Sequence, residues 1–129
     1  MAWVRHNNAL SQYNAAFQKI QRINDSWTSC RRQWRNGDLD SLNYELDYMW
    51  IEFECDASPA QKKFFTKVNK RIEVVRTLRN REKKVKAKIF YNNKLAHLIK
   101  IKWMFLFRVE KAQGLGKKYR EEESWETFD

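Results

Sequence analysis

The densest run of chemistry-bearing side chains in this 129-residue chain is cationic. Arg76, Arg79, Arg81, Lys83, Lys84, Lys86 and Lys88 crowd together, and Lys100, Lys102 and Arg108 follow on the same stretch. Guanidinium and ammonium groups at this density can neutralise a polyanion, phosphate by phosphate, without reading bases. The division of charge along the chain sharpens the point. Residues 1–56 carry six basic and eight acidic groups, residues 57–111 carry 17 and three, and residues 112–129 carry three and five. A central segment of net charge +14 therefore lies between two segments of −2. Helices that support themselves interleave Glu with Lys, and here the Glu is missing. Glu45, Glu52 and Asp56 can supply a few internal counter-charges, which leaves most of the surplus to an external polyanion.

Other constellations carry less. There are two His and two Cys, and a zinc site of the usual type requires all four to converge. His6 and His97 are far apart in sequence, and no Gly-x-Ser-x-Gly elbow surrounds any Ser. Glu52 and Asp56 stand one helical turn apart, but no Glu-x-x-His accompanies them. Gly114-Leu115-Gly116-Lys117-Lys118 lacks the spacing of a phosphate loop and has no strand before it. The chain thus reads as non-enzymatic, with no metal and no cofactor. His97, set among Leu95, Ala96, Leu98 and Ile99, reads as a packed or interfacial histidine, and Cys30 and Cys55 as two reduced, packed thiols.

The elements that position the cations follow from apolar spacing. Hydrophobic residues make up 43% of the chain, with only three Gly and one Pro, so a core is affordable and a turn-rich all-β fold is excluded. Leu10, Tyr13, Phe17, Ile20, Ile23, Trp27, Cys30 and Trp34 predict a long first helix that ends at Asn36-Gly37-Asp38. From Asp40 to Cys55 two stripes appear, Leu42, Leu46, Met49, Phe53 and, nearly opposite, Tyr44, Tyr48, Ile51, Cys55. A helix of that kind is expected to lie between two neighbours. Ser58-Pro59 with Gln61 predicts a capped helix start. Beyond it, Phe64, Val68, Val75, Leu78, Val85, Ile89, Ala96, Ile99, Trp103 and Leu106 predict one very long helix, or two broken near Asn92-Asn93, closing at Gly114. Trp27, Trp34, Trp50, Phe64 and Phe65 are expected in the core. The almost wholly apolar circumference at Trp103, Phe105 and Phe107 is expected to be buried between protomers.

The expected fold is all-α, a three- or four-helix bundle with a long basic third helix. It spans a single helical domain at 1–112, with an acidic-aromatic tail at 113–129 that carries Tyr119, Trp125 and Phe128. The alternative is an α+β fold with a basic β-hairpin at about 84–109, because Lys84–Ile89 and Ile99–Trp103 alternate. No signal-peptide-like segment opens the sequence, so a cytoplasmic location, or one within an intracellularly assembled particle, is expected. The expected function is sequence-independent, non-catalytic binding of DNA or RNA by a homo-oligomer in a packaging, architectural or coat role. Arg76, Arg79, Arg81, Lys83, Lys84, Lys86, Lys88, Lys100, Lys102 and Arg108 would contact phosphate. The alternatives are a small virus- or plasmid-type interaction factor docking on an acidic protein surface and, behind it, a membrane-surface binder.

Overall fold

Helix boundaries fall where the backbone has a way to satisfy its free groups. The computed structural model describes residues 2–114, with side chains described for residue 11 and from residue 14 onward. The side chains of His6, Leu10 and Tyr13, and the tail with Tyr119, Trp125 and Phe128, lie outside the described residues. Four helices form: α1 (Ala2–Arg35), α2 (Leu39–Phe53), α3 (Pro59–Arg81) and α4 (Val85–Gln113), with a short 3-10 turn at Glu54–Asp56 after α2.

Gly37 ends α1 in the left-handed region at φ 70°. Its N–H donates to the Trp34 carbonyl at 3.1 Å, and the Asp38 N–H donates to Gln33 at 3.0 Å, the paired bonds of a Schellman motif. Asp38 then caps α2 by accepting from the Ser41 N–H at 3.2 Å. At α3 the Ser58 hydroxyl accepts from the Gln61 N–H at 3.1 Å while the Gln61 side chain accepts from the Ser58 N–H at 2.8 Å. This is a reciprocal capping box with Pro59 in the first turn. Gly114, at φ 73°, closes α4.

Two expectations about the basic segment need correction. Residues 84–109 form no hairpin, because α4 runs through them as a continuous helix. The helical break falls at Glu82-Lys83-Lys84, and Asn92-Asn93 stays helical. No Gly or Pro marks the break. Arg79, Arg81, Lys83, Lys84 and Lys86 would repel one another within one continuous helix. The Glu82 carboxylate instead accepts the N–H groups of Lys83 and Lys84 at 3.1 and 3.2 Å, which holds the reversal together.

The four helices run alternately up and down. Trp27 and Trp34 of α1 meet Phe107 and Trp103 of α4, Trp50 of α2 stacks on Phe65 of α3 at 4.3 Å, and Phe64 of α3 meets Phe105 of α4 at 4.8 Å. The core is Ile23, Trp27 and Cys30 from α1; Leu42, Leu46, Met49, Trp50 and Phe53 from α2; Phe65, Val68 and Ile72 from α3; and Leu95, Ile99, Trp103, Leu106, Phe107 and Val109 from α4.

Compared with the expected stripe, the inward face of α3 is turned toward Phe65 and Ile72, with Val68 common to both. Phe65 and Ile72 are buried, while Phe64 and Leu78 are exposed, as are Val85 and Ile89 at the start of α4. Trp103 and Phe107 are buried, and Phe105 half-buried, by this chain's own helices, so their cover does not depend on a second protomer. Only one α2 stripe is covered. Leu42, Leu46, Met49 and Phe53 are buried, whereas Tyr44, Tyr48 and Ile51 are 70%, 57% and 65% exposed. Helix α2 therefore packs on its other helices through one stripe, and no described residue covers the second. Of the two thiols, both free, Cys30 is buried and Cys55 is exposed, not packed.

One core residue is a cation. Lys102 is 0% exposed; its ammonium donates to the Asn43 side-chain oxygen at 2.8 Å and to Asp47, and lies 5.2 Å from the centre of the Phe65 ring. Asp47 also accepts from the Asn69 amide at 3.1 Å, so α2, α3 and α4 are joined through one carboxylate. Burial pushes the Lys102 ammonium below its ordinary 10.5, against the opposing pull of the bond to Asp47. A native pKa below the unfolded one means the unfolded chain holds more protons between the two values. Stability contributed by this group therefore rises as pH climbs through that window. Two outcomes are expected in urea unfolding. Lys102→Met loses about 1–3 kcal/mol because buried Asn43 is left without its donor, and this pH-dependent gain disappears with it. Adding Asn43→Leu restores stability to the wild-type level or above, as replacement of buried polar groups by packed hydrophobes commonly does.

Candidate nucleic-acid interface

The cations expected to face phosphate divide into three groups once the helices are folded. Lys102 is a correction: an ammonium with no solvent exposure, bonded to Asp47 and Asn43, cannot touch an external phosphate. Arg76 and Arg79 are partly consumed within the molecule. Arg79 donates to both oxygens of Asp40 at 2.9 and 3.0 Å and reaches Asn92 at 3.4 Å, while Arg76 pairs with Asp40 at 3.1 Å and Glu73 at 2.8 Å. These contacts clamp the end of α3 to the start of α2. Lys100 is half-buried, and Arg108 is exposed but far along α4 from the others.

Arg81, Lys83, Lys84, Lys86 and Lys88 form the third group. All five are exposed at the α3–α4 turn. The turn stands clear of the bundle for a simple geometric reason. Arg79 and Asn92 lie level with Asp40 at the start of α2, and the seven residues from Asn92 back to Val85 carry α4 about 10 Å further. The inward stripe of α4, which buries Leu95 and Ile99, continues at helical spacing as Asn92 and Lys88. With α2 already ended there is no core to enter, and a lysine occupies the position without cost.

A second cationic feature escaped the sequence reading. Lys63, Lys67, Lys70, Val74, Thr77 and Arg81 step by three or four along α3, and every one is exposed. They form a straight stripe on the side opposite Phe65, Val68 and Ile72, about 27 Å long at 1.5 Å per residue. Among the described residues no carboxylate pairs with Lys63, Lys67 or Lys70. The signal was present: once Phe65 rather than Phe64 is taken as inward, these lysines must face out. An inward face drawn through Phe64 and Leu78 leaves these lysines off the outward line. Helix α3 holds eight basic residues and one acidic residue, with the cations facing outward on the stripe and clamped inward at Arg76 and Arg79.

The residues weighed for catalysis or metal binding lie as follows among the described residues. Burial raises the Cys30 thiol well above its ordinary 9.0, with Glu45 adding to the effect, so it remains protonated. His97 is exposed rather than packed. Glu52, weighed as half of a metal pair with Asp56, instead accepts from Arg22 at 3.1 Å, and among the described residues no three His, Cys, Asp or Glu side chains converge as a metal site would need. No helix among the described residues is long and apolar enough to cross a membrane. No protein-family model, curated protein or solved structure matches the chain.

The clamp at Asp40 sets an acid limit on stability. Partial burial pushes the Asp40 carboxyl up, but hydrogen bonds and positive charge from Arg79 and Arg76 outweigh it and hold the group below its ordinary 3.8. A depressed carboxylate stabilises the fold above its unfolded pKa and loses that contribution as pH falls through the native one. Asp40→Asn is expected to cost about 1 kcal/mol near neutrality, the upper end for a solvent-accessible pair. Acid titration of thermal stability should bring the variant and wild-type curves together below pH 3.8.

Proposed function

We propose that the protein binds nucleic acid through its phosphate backbone, without catalysis and without base readout, in a packaging or architectural role. The contact surface in this reading is the outer stripe of α3, Lys63, Lys67, Lys70 and Arg81, continued onto the turn by Lys83, Lys84, Lys86 and Lys88. The expectation of a basic third helix survives here as part of the proposal, with α3 as the element that lies along the polyanion. One observation carries it: a run of exposed cations at helical spacing, free of paired carboxylates, on the face that the core does not use. Four cations spread over about 27 Å of α3, with the lysines of the turn beyond them, allow several phosphates to be neutralised at once. In this reading the ammonium groups meet phosphate oxygens, contacts that position the protein and carry no sequence information, so affinity should be indifferent to sequence.

Fluorescence anisotropy of a labelled duplex and its single strand, titrated across a salt series, tests the reading. Affinity should fall with salt at about 0.9 log units per log unit for each duplex phosphate neutralised. The triple substitution Lys63→Gln, Lys67→Gln, Lys70→Gln should flatten that slope by about 2.7, three contacts' worth, and leave circular dichroism unchanged. A slope unaltered by the triple variant would move the interface off α3, and no binding at low salt would end the nucleic-acid reading.

A further inference from the structure

The bundle leaves two complementary surfaces open. One is the outer ridge of α2, where Tyr44, Tyr48 and Ile51 stand exposed at helical spacing and exposed Cys55 continues the line. Residues 38–56 around this ridge hold seven carboxylates and no Lys or Arg. Several are already used, Asp40 by Arg76 and Arg79, Asp47 by Lys102 and Glu52 by Arg22. Glu45, Glu54 and Asp56 have no cation beside them among the described residues.

The other surface is the groove between α3 and α4. Two apolar hollows lie along it, one of about 400 Å³ formed by Phe64, Ile101, Met104 and Phe105 with Arg108 at its edge. The second, about 430 Å³, is formed by Val75, Phe90 and Leu98 with Arg71 and Lys94. The Lys94 ammonium sits 4.8 Å from the Phe90 ring centre, so its charge already lies over the apolar floor. Aromatic side chains this exposed are costly to leave wet on an otherwise packed bundle, and they mark contact surfaces.

We infer that the α2 ridge of one copy docks into the α3–α4 groove of a second copy. Sign, chemistry and length all agree. An acidic ridge with tyrosines and an isoleucine meets an apolar groove rimmed by Arg71, Lys94 and Arg108. From Tyr44 to Cys55 the ridge runs about 16 Å, and from Phe64 to Val75 the two hollows are spaced by the same number of residues, again about 16 Å. Anchors at i, i+4 and i+7 laid into a groove are the ordinary way one helix recognises another surface. Pairing of α2 with α2 about a twofold axis would bring two sets of carboxylates face to face, and is disfavoured by their repulsion.

Because ridge and groove are different surfaces, the contact is head-to-tail. Each copy then offers a free ridge at one end of the assembly and a free groove at the other, so copies add without closing unless the rotation makes a ring. The lysine stripe of α3 takes no part, so this assembly and nucleic-acid binding fail or succeed separately.

Sedimentation velocity on the full chain, treated with nuclease and run over a concentration series at low and high salt, reads the outcome. Wild type should grow past the dimer with concentration and shrink with salt. A ridge variant, Tyr44→Ser with Tyr48→Ser, and a groove variant, Arg71→Glu with Lys94→Glu, should each remain monomeric. Mixed in equal amounts they should give a heterodimer and nothing larger, since each retains the surface the other has lost; a misfolded variant could not complement. The inference is overturned by a monomeric wild type or by a groove variant that still dimerises. It is equally overturned by assembly that starts only after residues 115–129 are removed, which would assign the groove to that segment of the same chain.

Discussion

Burying an ammonium in the middle of a helical bundle costs several kcal/mol unless hydrogen-bonding partners are fixed around it. Lys102 meets that requirement with Asn43 and Asp47, both on α2. The requirement is directional, whereas the surrounding apolar contacts are not. The apolar burial of Leu95, Ile99 and Leu106 has no direction of its own, whereas the ammonium is bonded to two acceptors at fixed positions on α2. Asp47 extends the constraint to α3 by accepting from Asn69, so three helices share a register. The stacked Trp50 and Phe65 and the nearby Phe105 pack together, with the Phe65 ring close to the Lys102 ammonium.

That register determines where the remaining charge can go. With α4 fixed against α2, Asp40 lies beside Arg76 and Arg79, and these three close the end of the bundle. Beyond them the turn has no further core to cover. Its lysines therefore remain in solvent, held at the reversal by the Glu82 carboxylate. Along α3 the same logic works sideways. Once Phe65, Val68 and Ile72 face the core, Lys63, Lys67 and Lys70 are forced onto a single outward line. A net charge of +14 spread along the sequence thus becomes one rod and one tip, while its arginines nearest the core serve as clamps.

The acidic segment plays a corresponding double part. Its inward stripe supplies Leu42, Leu46, Met49 and Phe53 to the core, and Asp40 and Asp47 neutralise cations from the helices packed against it. Its outward stripe, Tyr44, Tyr48 and Ile51, is covered by none of the described residues. Among the described residues the helices packed on α2 all lie on the side of Leu42, Leu46, Met49 and Phe53.

Much was legible before folding because its causes are local. Gly37, Ser58-Pro59-Gln61 and Gly114 set helix ends through backbone conformation and hydrogen bonds a few residues away, and the sequence by itself determined them. The sequence likewise determined the all-helical class, through apolar spacing, and the confinement of positive charge to one segment. The tertiary structure alone decided which α2 stripe is buried, that Phe65 rather than Phe64 faces inward, that the basic segment reverses at residues 82–84, and that Lys102 belongs to the core. The physical reason is common to these four. Each is a choice between locally near-equal arrangements, and the energy that separates them comes from side chains tens of residues away.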